Sequence, residues 1–101
     1  MNEFSQEDIK LFLKENKTGL IYLYTPLCGT CQMASKILTV TCELLPNLHI
    51  AKANLNYAAD IADILSIESV PCLVSIKEGQ LLEKIYAFHS VPYLYEKLKD
   101  A

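Results

Sequence analysis

The sequence predicts an α/β fold, one four-stranded mixed sheet flanked by four helices, in the chain order αβαβαββα. Three observations predict it. Apolar stripes of helical period alternate with short apolar runs of strand length. The first two strands are separated by a helix, which demands a right-handed parallel crossover. The last two are joined by a tight turn at Glu78-Gly79, which demands an antiparallel hairpin. At 101 residues the chain is expected to be a single domain, 1–101, because either half would be too small to fold unaided. A hydrophobic fraction of 51% and a charged fraction of 21% exclude a disordered chain.

Each element has its own signal. Ser5 is a helix N-cap, with Phe4 before it and Ile9 after it at the spacing of a hydrophobic staple. Ile9, Phe12 and Leu13 form the first helical stripe, which ends at Asn16-Lys17-Thr18-Gly19. Leu20 to Tyr24 is apolar on both faces, as a buried central strand must be. Pro26 stops it, and a second helix begins around Cys28-Gly29-Thr30-Cys31, with Ala34, Ile37, Leu38, Thr41 and Leu45 on one face until Pro46-Asn47. Leu48 to Ala53 is the second strand, and Ala58, Ile61, Ala62 and Leu65 mark a third helix. Strands at Cys72–Lys77 and Leu81–Tyr86 form the hairpin, and a last helix after Ser90 buries Val91, Leu94, Tyr95 and Leu98.

Composition excludes several functions. The net charge is −3, and the nine cationic residues are lysines scattered along the chain. Nucleic-acid binding needs clustered positive charge, so it is not expected. No run approaches the ~18 consecutive apolar residues of a membrane span. The acidic start Met1-Asn2-Glu3-Phe4-Ser5-Gln6-Glu7-Asp8 is unlike a signal peptide, so a cytoplasmic address and a monomer are expected.

In a reducing compartment a C-x-x-C pair is catalytic or metal-binding rather than structural. Cys28 and Cys31 follow a strand and open a helix, so they share one side of its first turn, within disulfide reach. Unpaired N–H groups and the positive helix end favour a thiolate at the first position. Cys28 is therefore the expected nucleophile and Cys31 the resolving thiol. Zinc would need four ligands, and His49 and His89 are isolated in sequence, so no metal is expected. Cys42 lies about 16 Å beyond Cys31 along the same helix and is read as a buried small residue. Cys72 is expected to point into the sheet's packing, with a regulatory thiol as the alternative reading. His49 is expected to be solvated, and Tyr86, Tyr93 and Tyr95 to be packing residues.

With Thr25-Pro26-Leu27-Cys28-Gly29-Thr30-Cys31-Gln32-Met33 after a strand, Ala51-Lys52-Ala53-Asn54-Leu55-Asn56 in the next, Val70-Pro71 before the hairpin and Glu78-Gly79 at its turn, the chain resembles the thioredoxin family over nearly its whole length. The resemblance implies a thioredoxin-like fold and a thiol–disulfide oxidoreductase that reduces protein disulfides through a reversible Cys28–Cys31 disulfide, with no bound cofactor. It implies a cis bond before Pro71, Val70 backbone pairing with an extended client segment, and supporting roles for Gly29, Thr30 and Lys52. Its implied partners are disulfide-bearing client proteins and an NADPH-dependent thioredoxin reductase. The chain departs from the family pattern at Leu27, where a Trp is usual, and at Thr30, where a Pro is usual; the latter implies a weaker reductant. It departs again at Tyr22, where a buried Asp usually helps deprotonate the resolving thiol. Those departures keep a second reading open, an interaction module of the same fold with vestigial redox activity.

Overall fold

The computed structural model describes residues 1–100; Ala101, the last residue of the expected domain, lies outside them. The elements are β1 (Asn2–Glu3), α1 (Gln6–Lys14), β2 (Gly19–Tyr24), α2 (Gly29–Leu44), β3 (Ile50–Asn54), a 3₁₀ turn (Leu55–Tyr57), α3 (Ala59–Ile64), β4 (Cys72–Lys77), β5 (Gln80–Ile85) and α4 (Val91–Leu98). The sheet has five strands in the order β1-β3-β2-β4-β5, where the sequence predicted four. The extra strand is Asn2–Glu3, parallel to β3 through Asn2–Ala51 and Glu3–Lys52. Two exposed polar residues carry no period of alternation, so this strand left no sequence signal.

The rest of the sheet has the expected mixed character. β2 runs parallel to β3 and antiparallel to β4, and β4 and β5 form a hairpin whose two-residue turn is Glu78-Gly79. Both turn residues have positive φ, 52° and 79°, the backbone that a two-residue hairpin with native twist requires. A Cβ on Gly79 would lie 2.5 Å from the Leu13 carbonyl oxygen, so this position has no room for another residue.

β2 is buried on both faces and divides the interior in two. Ile21 and Leu23 pack with Ile9 of α1, Ile61 of α3 and Cys72, Val74 and Ile76 of β4. Leu20 and Tyr22 pack on the other face with Ala34 and Leu38 of α2, Leu94 and Leu98 of α4, and Phe88. Each fully buried aliphatic side chain contributes about 1.5–3 kcal/mol of transfer free energy, so these two layers hold the sheet between its helix pairs. Ser5 caps α1 as expected, accepting from Asp8 N–H at 3.1 Å while Asp8 accepts from Ser5 N–H at 2.9 Å. Val91 and Tyr95 are half-buried rather than buried on α4, since Leu94 and Leu98 take the inward positions. Cys42 is likewise half-buried, because Thr41 occupies the inward position of α2 and satisfies its own hydroxyl on the Ile37 carbonyl at 2.8 Å.

Candidate active site

β2 delivers the chain to one end of the sheet, and a turn closed by Cys28 N–H on the Thr25 carbonyl (3.3 Å) starts α2. Cys28 is the N-cap of this sixteen-residue helix, with extended φ and ψ. Its sulfur takes the place usually held by a serine or aspartate oxygen, accepting from Cys31 N–H at 3.1 Å. Thr30 Oγ1 lies 3.2 Å from the same sulfur.

These contacts separate the two thiols. The hydrogen bond from the Cys31 thiol, then that from the Thr30 hydroxyl, lowers the Cys28 pKa from its ordinary value, and the backbone N–H groups of Cys31 and Thr30 add to it. Burial first, and then the hydrogen bond to Cys28, push Cys31 the other way, to about 11. Cys31 is 2% exposed, whereas Cys28 is open to solvent on one side. The more exposed sulfur is thus shifted towards ionisation, and its neighbour one turn inside is shifted away from it. All four cysteines are free thiols.

The Val70–Pro71 bond is cis. Val70 presents its carbonyl oxygen 3.9 Å from Cys28 Sγ, so the loop before β4 meets the start of α2 across the site. Beside them opens a groove of ≈ 370 Å³, lined among others by Thr30, Met33, Val70, Pro71, Phe88 and His89. Leu27, the residue before Cys28, is 99% exposed.

Of the other residues singled out in the sequence, Gly29 sits in open space, with nothing within 4 Å of where a Cβ would be. Lys52 projects from β3 with Nζ 6.0 Å from the centre of the Tyr24 ring, and the groups that shift Cys31 do not include it. Cys72 is fully buried in the sheet core, and burial raises its pKa to about 11. Among the described residues, no group of three His, Cys, Asp or Glu side chains is placed to hold a metal ion.

Sequence reasoning missed what Tyr22 does. Its side chain is 1% exposed, stacked on Tyr24 and packed against Phe88 with the rings tilted. The hydroxyl donates to the Cys31 carbonyl at 2.9 Å and lies 2.9 Å from Ser35 Oγ. On the far side of the same peptide, Gln32 N–H donates to the Cys28 carbonyl at 3.3 Å. A chain of hydrogen bonds thus runs from Ser35 through Tyr22 and the Cys31–Gln32 peptide to Cys28, pinning the first turn of α2 to the sheet. Burial holds the Tyr22 pKa above its ordinary value of 10.0. It braces the backbone at Cys31.

A family model described as Thioredoxin matches residues 2–100. The chain is 53% identical over 86 residues to the thioredoxin-like protein YusE of Bacillus subtilis (strain 168), covering 85% of this chain and 81% of that one. It is 30% identical over 78 residues to mitochondrial thioredoxin-3 of Saccharomyces cerevisiae, covering 77% of this chain and 61% of that one. The crystal structure of the oxidised form of that yeast protein superposes with a TM-score of 0.81 at 25% identity, over 100% of this chain and 95% of the other.

Proposed function

Because the chain belongs to the thioredoxin family, its Cys28/Cys31 pair supports thiol–disulfide oxidoreductase activity, and we propose that it reduces disulfides in client proteins with Cys28 attacking and Cys31 resolving. The observation that carries the reading is the opposite perturbation of two thiols one helical turn apart. The Cys28 thiolate attacks one sulfur of a client disulfide; that S–S bond breaks, and the departing client sulfur takes up a proton. Cys31 then loses its proton and attacks Cys28 Sγ, releasing the second client thiol and leaving a Cys28–Cys31 disulfide. The client gains two electrons, and the pair loses them. No bound cofactor is needed, because the Cys28/Cys31 dithiol itself carries the reducing equivalents.

Val70 supplies the backbone on which an extended client segment pairs, with its sulfur over Cys28 and apolar side chains against Leu27 and Met33. An NADPH-dependent thioredoxin reductase regenerates the dithiol, and a cytoplasmic setting keeps it reduced. No helix is long and apolar enough to cross a membrane among the described residues.

Insulin reduction followed by turbidity tests the proposal. Wild type is expected to precipitate the insulin B chain, Cys28→Ser to be inactive, and Cys31→Ser to accumulate the mixed disulfide. Wild type no faster than Cys28→Ser would leave the interaction-module reading standing instead.

A further inference from the structure

The segment joining α3 to β4 carries Val70, yet little of its own backbone holds it. Ile67 N–H reaches back to the Ala62 carbonyl at 2.8 Å. Beyond that, among the described residues, no backbone–backbone hydrogen bond fixes Glu68, Ser69 or Val70. What grips the loop comes from the hairpin. Lys84 Nζ donates to the Ser66 carbonyl at 2.8 Å. Tyr86 Oη accepts from Glu68 N–H at 3.2 Å. Two residues apart in sequence, Lys84 and Tyr86 project from the same side of β5 and its continuation. They seize the loop at two points, one at the left-handed turn of Ser66 (φ 55°) and one two residues before Val70.

We propose that Lys84 and Tyr86 are positioning residues for client recognition, clamping the Ser66–Val70 loop so that the Val70 backbone faces Cys28 in a pairing-ready geometry. The inference rests on the reading of Val70 as the client-facing backbone. Neither side chain hydrogen-bonds Cys28 or Cys31 or is among the groups that shift their pKa, so the clamp acts on how well a client segment docks and not on the reactivity of the nucleophile. A loop freed at either grip spends less time in the competent geometry, and apparent client affinity falls by that fraction. A typical net hydrogen bond sets the scale at roughly fivefold.

The test uses the full chain, Lys84→Met, Tyr86→Phe and Lys84→Arg, with two readouts. The first is amide hydrogen exchange. Tyr86→Phe must deprotect Glu68 N–H directly, but Lys84→Met, whose lost bond is to a carbonyl, should also speed exchange there by roughly fivefold if the two grips act as one clamp. Exchange in α2 should stay unchanged. The second readout is kinetic. Both variants should raise KM for insulin by roughly fivefold with kcat retained, while the rate of Cys28 with a small aromatic disulfide is unmoved. Lys84→Arg, which keeps a donor for the Ser66 carbonyl, should restore the wild-type KM. Wild-type exchange at Glu68 in Lys84→Met would overturn the clamp, even if the protein proved inactive on insulin. Faster exchange with an unchanged insulin KM, or equal losses on insulin and on the small disulfide, would overturn its role in recognition. Inactivity of the wild type on insulin would instead count against the disulfide-reductase reading, and the exchange data would still decide the clamp.

Discussion

Replacing Tyr22 by Phe separates bracing from proton transfer. The substitution keeps the ring that packs on Tyr24 and Phe88 and deletes only a hydroxyl with two contacts of 2.9 Å. A net hydrogen bond contributes about 1 kcal/mol. Neither partner is left stranded, because the Cys31 carbonyl keeps its place in the helical ladder and Ser35 is half-buried. The loss should therefore be about 1–2 kcal/mol, without the larger penalty of an orphaned buried group. For a domain of this size that lowers the melting temperature of the reduced protein by roughly 5–15 °C. Kinetics should respond differently. With its pKa above 10.0, fewer than about one Tyr22 in a thousand is ionised at pH 7, so it is no acceptor for the Cys31 proton. Stopped-flow release of a client from the Cys28 mixed disulfide should change by less than about threefold, where a lost general base would cost about a hundredfold or more. A loss of that larger size, with the melting temperature unmoved, would refute the reasoning.

Two further outcomes follow from named contacts. Burial gives Cys72 a folded pKa of about 11 against an ordinary 9.0, so the folded chain holds this proton more tightly than the unfolded one. The associated stability is complete below about pH 9 and is lost as pH rises towards 11. Urea unfolding should show the reduced wild type losing about 2 kcal/mol more than Cys72→Ala between pH 8 and pH 10.5; parallel losses would contradict the burial argument. At the hairpin, Gly79→Ala meets the Leu13 carbonyl oxygen and a positive φ, and should cost about 2–3 kcal/mol in the same assay. Gly29→Ala, facing open space, should leave stability unchanged or raise it by less than about 1 kcal/mol; similar costs at both glycines would show that neither steric reading holds.

What was legible in the sequence was what is local in it. A strand stopped by Pro26 and followed by a helical stripe already put Cys28 at the start of α2 and Cys31 one turn inside, and the structure makes Cys28 its N-cap. The double-faced burial of Leu20 to Leu23 and the Glu78-Gly79 turn are likewise written in contiguous residues. The strand Asn2–Glu3 was not legible, because its pairing depends on β3, some fifty residues away, and not on its own composition. Tyr22 could be recognised as a departure from the family's acid, but not as a brace. Its role depends on a carbonyl of another element lying 2.9 Å away.

The same distinction explains why the chemistry and the recognition of this site are encoded differently. The asymmetry between the two thiols arises within one helix start: the Cys31 thiol, the Thr30 hydroxyl and then the N–H groups of Cys31 and Thr30 act on Cys28, and the next turn buries Cys31. The Val70 loop has no such local origin. Its backbone is placed by side chains from β5 and the residue after it, a polar Lys84 and an aromatic Tyr86 of the kind any edge strand carries. Reactivity at Cys28 should thus tolerate changes in the hairpin, while client choice should not. The small-disulfide and insulin assays on Lys84→Met measure that separation directly.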